Sequence, residues 1–458
     1  MTGRILALVA ANVVLLVLGV GLLPLLRLAH TRRQLLTRLP LAYAVGTAAG
    51  GILVAHLALV HVPVGRIGLP LLAVSALALG LRRLPRVTPR ARAVWRPEDV
   101  AGIAVLGVAA AFAIPAARLF SVKPMLESDG WVIWATRART LYEFGHPVAP
   151  VFTDPSFPAL QHPLLLPALE ALAFRFMGSY DGTLVHLELL GLTIAFVGGA
   201  WTLLREYTPP VLLSATLLAV VTVPTFFHQL QTNFADIPLA MLTALGVASL
   251  AAWLRSGGPG LLPAAALFLG AAALTKNEGE LFALTAYVAA ALAARAAQRR
   301  PLAWAALATL AIDAPWRIWI QLHHIKIEEY SLSDLFDPSY LSEHRGRVGP
   351  ASRELLVQIA SVNSWSYLLA LITVGFAAAL VLRRFRLALF GAVWLALSFA
   401  GLLAIYWIST NPLTSNLFNS SNRTIVSLLI GGALLVPVLL APEREPEPND
   451  RQKGPRGS

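Results

Sequence analysis

Two carboxylates, Glu127 and Asp129, stand one residue apart in LESDGWVIWATRARTLYEFG, directly after the apolar stretch AGIAVLGVAAAFAIPAARLF. Carboxylates this close can act as a proton acceptor and a partner whose like charge raises its pKa, or as oxygen ligands of a hard cation. Further along stand His162 before Pro163, Asp236 in NFADIPLAML, the run TKNEGE with Lys276, Glu278 and Glu280, and Arg423 in SSNRT. Lysine and arginine both suit phosphate oxygens, the first as a point charge and the second through its planar fork. Each residue also has a plainer use. Ser128 or Asp129 makes a good N-cap, and Asp236 suits a helix start. Lys276 can pair locally with Glu280. Arg423 can snorkel to a membrane interface, although a cation at the N-terminal end of a helix opposes the dipole and needs another reason to sit there.

Composition sets the medium in which this chemistry would run. The chain has 458 residues, 57% of them hydrophobic and only 13% charged, with a mean hydropathy of +0.68. That is far more apolar surface than a soluble core of this length needs, so the expected fold class is an all-α polytopic membrane protein. The net charge of +12 comes from short arginine clusters between apolar runs, which fits loops facing anionic headgroups and argues against nucleic acid as a partner. With no cysteine, disulfides, thiolate metal sites and cysteine nucleophiles are excluded. The first apolar stretch, ILALVAANVVLLVLGVGLLPLL, is too long for a signal-peptide core and is read as a retained span.

At roughly 20 apolar residues per crossing, about thirteen segments qualify as spans. Short cytoplasmic loops should be rich in Lys and Arg. With the N-terminus outside and the C-terminus cytoplasmic, the inner loops collect Arg27, Arg32, Arg33 and Arg38, then the run from Arg82 to Arg96, then Arg205, Arg255, Arg295, Arg299, Arg300, Arg383, Arg384 and Arg386. Residues 121–183, 228–235, 276–279, 322–357 and 410–423 then share the outer face, together with most of the remaining ionisable groups. The expected organisation is a three-span extension over 1–97, a seven-span module over 98–322, an outer loop over 323–357, three more spans over 358–441 and a disordered cytoplasmic tail over 442–458.

In the first outer loop Trp131, Trp134, Ala138, Leu141 and Tyr142 fall at helical spacing, which predicts an amphipathic helix lying at the interface. A second such helix is expected through HPLLLPALEALAFRFMG, with Pro163 at its start. Inside a later span, Asp313 and Arg317 are four residues apart and read as a structural pair. His323, His324 and Glu328 have helical metal-ligand spacing, with solvated loop residues as the default reading.

The order of these motifs resembles the GT-C superfamily of integral-membrane glycosyltransferases, and among them the protein O-mannosyltransferases and the lipid A aminoarabinose transferases. The resemblance rests on the acidic E-x-D triplet after a span, the two juxtamembrane helices with H-P between them, NFADIPLA opening a span, TKNEG after another, and SSNR before the last. It covers residues 98–322; the three preceding spans depart from the superfamily's usual pattern. The resemblance implies transfer of a sugar from a polyprenyl-phosphate donor to a lipid, glycan or protein acceptor at the outer face of the inner membrane. It makes Asp129 the general base with Glu127 as second acid, assigns Arg423, Lys276 and His162 to the donor phosphate, and gives Asp236, Glu278, Trp131 and Trp134 supporting or acceptor-binding roles. A divalent cation is a possible cofactor, with Glu127, Asp129 and Asp236 as its candidate ligands. The rival reading is a secondary transporter or lipid flippase, since intramembrane charges and Pro-interrupted spans also line translocation paths.

The shared compartment is directly testable, because the chain has no cysteine background. Single cysteines at positions 129, 236 and 423 should all react with an impermeant maleimide from one side of the membrane. Reaction from opposite sides would dissolve the set.

Overall fold

A backbone in lipid has no water to bond and must pair its own N–H and C=O groups, so runs of some twenty apolar residues cross as helices. The computed structural model describes residues 2–63, 65–85, 97–326 and 330–442. Within them the chain is helical, without strands, and has one isolated bridge between Tyr330 and Ser409. Arg86, Arg90, Arg92 and Arg96, the acids Glu328 and Glu329, and the tail beyond Pro442 lie outside the described residues.

The N-terminal region holds α1 (Thr2–Leu25), the short α2 (Arg32–Thr37), α3 (Leu39–Leu59) and α4 (Gly68–Arg82). After α5 (Pro97–Phe120) comes the first long loop, which carries α6 (Thr136–Phe144) and α7 (Leu165–Met177). The middle of the chain runs through α8 (Val185–Leu204), α9 (Pro210–Thr222), α10 (Pro224–Leu230), α11 (Asp236–Ser256), α12 (Leu261–Ala273), α13 (Glu278–Ala293) and α14 (Ala296–Leu322). The second long loop folds into α15 (Pro338–Glu343), α16 (Val348–Ala360) and α17 (Val362–Trp365). The chain then closes with α18 (Leu368–Val381), α19 (Phe385–Ile408), α20 (Leu413–Thr424) and α21 (Val426–Leu440).

The apolar segments fold into helices, and the protein is a polytopic, all-helical membrane protein, but fewer of them than the thirteen expected are long and apolar enough to cross. Seven helices have the length and hydropathy to cross a bilayer, with α20 and α21 counted as one rod, and the bent pair α9–α10 makes an eighth. Helices α4, α12 and α18 are apolar but shorter. The bend between α9 and α10 is 60° and falls at Val223, which is extended before Pro224 because proline disfavours the helical conformation in the residue preceding it. One expected span, 358–382, is instead broken. Its first residues close α16, and Ser366 takes a positive φ of 52° before α18 begins.

Helices pack where small residues let backbones meet, since lipid supplies no hydrophobic drive between apolar helices. A Cβ on Gly46 would fall within 1.8 Å of the Leu15 carbonyl oxygen, and one on Gly19 within 1.7 Å of that of Ala42. These contacts lock α3 onto α1. At the centre, α11 is buried along nearly its whole length, as is α21. Only Gly102, Ala116 and Phe120 of α5 are buried, so that helix stands at the periphery.

The first long loop differs from expectation. The helix expected to lie at the interface through HPLLLPALEALAFRFMG is α7, and every residue from Leu165 to Phe174 is buried in the protein. Its sequence is apolar nearly all round, which is the mark of a core helix more than of an interfacial one. The preceding amphipathic helix begins as a π turn over Gly130–Ala135, whose wider winding turns Trp131 away from Trp134. Trp134 is buried while Trp131 is 52% exposed.

Replacing Gly46 with leucine should prevent α1 from docking and sharply lower the yield of monodisperse protein in detergent. Gly107→Leu, placed in open space, should be tolerated. Equal yields would contradict the close helix crossing.

Candidate functional site

Four segments distant in sequence meet through one chain of alternating charges. Arg423, in the last turn of α20, places Nη1 2.8 Å from Asp129 Oδ2 and Nε 3.4 Å from Asp236 Oδ2. Asp236 Oδ1 accepts a hydrogen bond from Lys276 Nζ at 2.8 Å, and Lys276 Nζ lies 2.9 Å from Glu278 Oε1. The guanidinium of Arg423 also sits over the Phe234 ring, 4.2 Å from its centroid. The Asp129 side chain is 35% exposed, whereas the Asp236–Lys276 pair is screened from water, since Asp236 is 3% and Lys276 6% exposed. Charge-assisted hydrogen bonds in such surroundings are the strong ones.

Local backbone features hold each member. Asp129 precedes the π turn in a helical conformation and makes no capping bond, so its carboxylate is free to turn to Arg423. Gly130 lets that turn press against the segment before α11, because a Cβ there would lie 2.3 Å from the Thr232 carbonyl oxygen. π turns of this kind occur frequently at functional sites. Asp236 is the first residue of α11 and makes no capping bond either; its side chain is committed to Lys276 and Arg423. The tight turn from α12 to α13 sets Lys276 and Glu278, with Gly279 so close to α12 that a Cβ would meet the Ala272 carbonyl oxygen at 2.1 Å. The capping readings of Asp129 and Asp236 are thereby replaced by long-range ion pairs. So is the local Lys276–Glu280 pair, because Glu280 lies 2.5 Å from Arg317, which also holds Asp313 at 2.9 Å and donates to Asn277.

A cavity of about 490 Å³ opens on this chain, lined by Asp129, His162, Lys276, Glu278 and Arg423 at its charged end. Burial on its own would lower the proton affinity of Lys276, but Asp236 and then Glu278 hold it above the ordinary lysine value, so it stays charged. Burial pushes the His162 imidazole well below its usual value, and the neighbouring cations Lys276 and Arg137 add to the effect. His162 is therefore neutral, and in the phosphate-binding role that the resemblance gives it could offer a hydrogen bond but no charge. Its ring stacks on Trp134 at 5.3 Å. Arg137, which has no assigned role in the sequence reading, is buried beneath it and donates to the carbonyls of His162 and Ala159 at 2.7 and 2.6 Å. Burial lowers Arg137 to about 9, which still leaves it charged at neutral pH.

Other expected site residues are not brought here. Glu127 lies 3.5 Å from Lys123, which also donates to the Gln231 carbonyl, and Glu127 does not line the cavity. Trp131 is outside it as well. Among the described residues no group of three or more carboxylates and imidazoles is gathered to hold a metal ion. Asp129 and Asp236 are bridged by Arg423 instead of converging with Glu127, so a cation would have to compete with that guanidinium. His323 stacks on Trp319 at 4.0 Å and its Nδ1 bonds the Trp319 carbonyl.

The cavity also has a neutral wall that the sequence reading passes over. It comes from α20 and the end of α19, including Tyr406, Ser415, Asn416, Asn419 and Ser420. The readable signal lies in LTSNLFNSSNRT, where polar residues at 416, 419, 420 and 423 share one helical face.

Removing one partner of a buried ion pair strands the other charge, at about 3–5 kcal/mol. Lys276→Met should therefore lower the thermal midpoint of the purified protein markedly, and adding Asp236→Asn should restore part of the loss. A Lys276→Met variant as stable as wild type would show that the two charges do not depend on each other.

No protein-family model, characterised protein or solved structure matches this chain, so the geometry of the site carries the functional reading.

Proposed function

We propose that the protein is a GT-C-type glycosyltransferase that moves a sugar from a polyprenyl-phosphate donor to an acceptor hydroxyl or amide, inverting the anomeric carbon in one displacement. The observation that carries this reading is that Asp129, Lys276 and Arg423 line one cavity from three separate segments, with Asp236 of a fourth segment bridging Lys276 and Arg423. Asp129 takes the acceptor proton, the acceptor atom attacks the anomeric carbon, and the bond from that carbon to the phosphate oxygen breaks. The lipid phosphate leaves with the electron pair and is held by Arg423 and Lys276. In the free protein Arg423 is occupied by Asp129. A donor phosphate that takes over part of this guanidinium releases the carboxylate to act as base. His162 donates or accepts a hydrogen bond as a neutral group. Glu278 and Asp236 keep Lys276 charged and oriented.

The donor tail remains in the bilayer. An apolar cavity of about 840 Å³ between the peripheral α5, α8 and the bent α9–α10 pair supports a lipid-binding reading. The topology that goes with the proposal has about thirteen crossings, the N-terminus outside, and the site on the extracytoplasmic face of the inner membrane. A flippase or secondary transporter places its binding groups near the midplane between matching halves. Here Asp236 opens α11, Lys276 precedes α13 and Arg423 lies near the end of α20, which favours chemistry at one interface.

Asp129→Asn should lower turnover of polyprenyl-phosphate sugars by about 10²- to 10⁴-fold while leaving the protein folded and able to bind donor. The assay is sugar release and product formation by purified protein, run with and without chelator to read any dependence on a divalent cation. Undiminished turnover in the variant would remove the base, and lipid movement without a transfer product would favour the flippase.

A further inference from the structure

The charged end of the cavity accounts for a phosphate, but about 490 Å³ exceeds what a phosphate fills, given that one water occupies about 30 Å³ of liquid. The rest of the wall carries no charge. Asn416 donates to Ser409 at 3.0 Å and accepts from Ser420 at 3.1 Å, and Ser420 shares a 2.7 Å contact with the Tyr406 hydroxyl. This network fixes a neutral floor. Asn419 and Ser415 stand exposed in front of it, joined to each other only at 3.4 Å, so their amide and hydroxyl groups have bonding capacity to spare. On the same helix, Asn419 and Asn416 lie about 6 and 10 Å of axial rise from Arg423, in that order. The cavity therefore grades from a two-cation end to a face of carboxamides and hydroxyls.

We infer that α20 reads the sugar, with Arg423 on the donor phosphate and Asn419, Asn416 and Ser415 on the attached ring, and that the transferred unit is an uncharged sugar. This rests on the transferase reading. Carboxamides donate and accept at once, which matches vicinal hydroxyls that do the same. An amino or carboxylate substituent finds no opposite charge on this wall, and a carboxylate has no donor to offer the Asn419 and Asn416 carbonyl oxygens, so neither gains the paired bonds that neutral hydroxyls make.

The test uses full-length protein in lipid nanodiscs and four short-chain probes: bare prenyl phosphate, and prenyl phosphate carrying a neutral hexose, an amino sugar or a uronic acid. Competition against a fluorescent prenyl phosphate gives each Kd. With two or more hydrogen bonds to the ring, the hexose conjugate should bind at least about tenfold tighter than the bare lipid. Neither charged conjugate should share that gain. Asn419→Ala, at an exposed position, should remove most of the advantage and leave bare prenyl phosphate unchanged. Equal binding of bare and hexose-bearing lipids, preference for a charged sugar, or an advantage that survives Asn419→Ala would overturn the inference while leaving the transferase reading intact. If no prenyl phosphate binds and Arg423→Gln changes nothing, the transferase reading itself fails, and the inference with it.

Discussion

The buried contact between Asp236 and Lys276 is the constraint on which the rest of the site depends. Taking either ion out of water costs several kcal/mol after relaxation, and the cost is offset only when the geometry is good and further partners satisfy both groups. Asp236 has a second cation in Arg423, at 3.4 Å, and Lys276 a second carboxylate in Glu278. Arg423 then reaches Asp129, so four segments must arrive together or leave charges stranded. An ion pair of this kind is weak evidence for stability. It is better evidence for specificity, because few alternative packings of these helices could satisfy five ionised groups at once.

Close backbone contacts make that arrangement reachable. Gly130 against Thr232 and Gly279 against Ala272 bring loop and turn within the reach of short acidic side chains, and any larger residue would push them apart. The same principle operates at larger scale between α1 and α3. There the glycines add no chemistry, but they help hold α7 in place, since that helix packs against both neighbours. Arg137 performs a comparable task by polar means, tying the loop that carries His162 to α6.

The cavity's electrostatics divide it by role. One end is lined by two cations and two carboxylates, with Asp236 behind them completing the alternation. Beside it, a neutral imidazole packed on Trp134 and a wall of amides and hydroxyls can bond a substrate without adding charge. A site that only bound phosphate would have little use for that second surface. One that positioned a sugar between a base and a leaving phosphate would need both.

Much was legible in the sequence alone. Its apolar runs determine helices because a lipid-immersed backbone has no other way to bond itself, although the segments 210–227 and 358–382 are each divided among more than one helix. The acids, lysine and arginine of the site were legible as well, since ionisable groups are costly beside a membrane and are scarce enough to stand out. What spacing could not decide was direction. Asp129 and Asp236 also read as caps, and Lys276 as a partner of Glu280, because local bonds are the nearest available in sequence; only the packing of α11 against α12 and α13, and the reach of Arg423 to Asp129 and Asp236, offers them better partners. Trp131 fails to line the cavity because the π turn rotates side chains in a way that ordinary helical periodicity does not encode, while Glu127, ahead of that turn, pairs with Lys123. The burial of α7, the neutrality of His162 and the polar face of α20 over the cavity all arise from neighbours hundreds of residues away or on other helices. Those were decided by tertiary structure, because desolvation and long-range charge belong to the environment of a residue and not to its type.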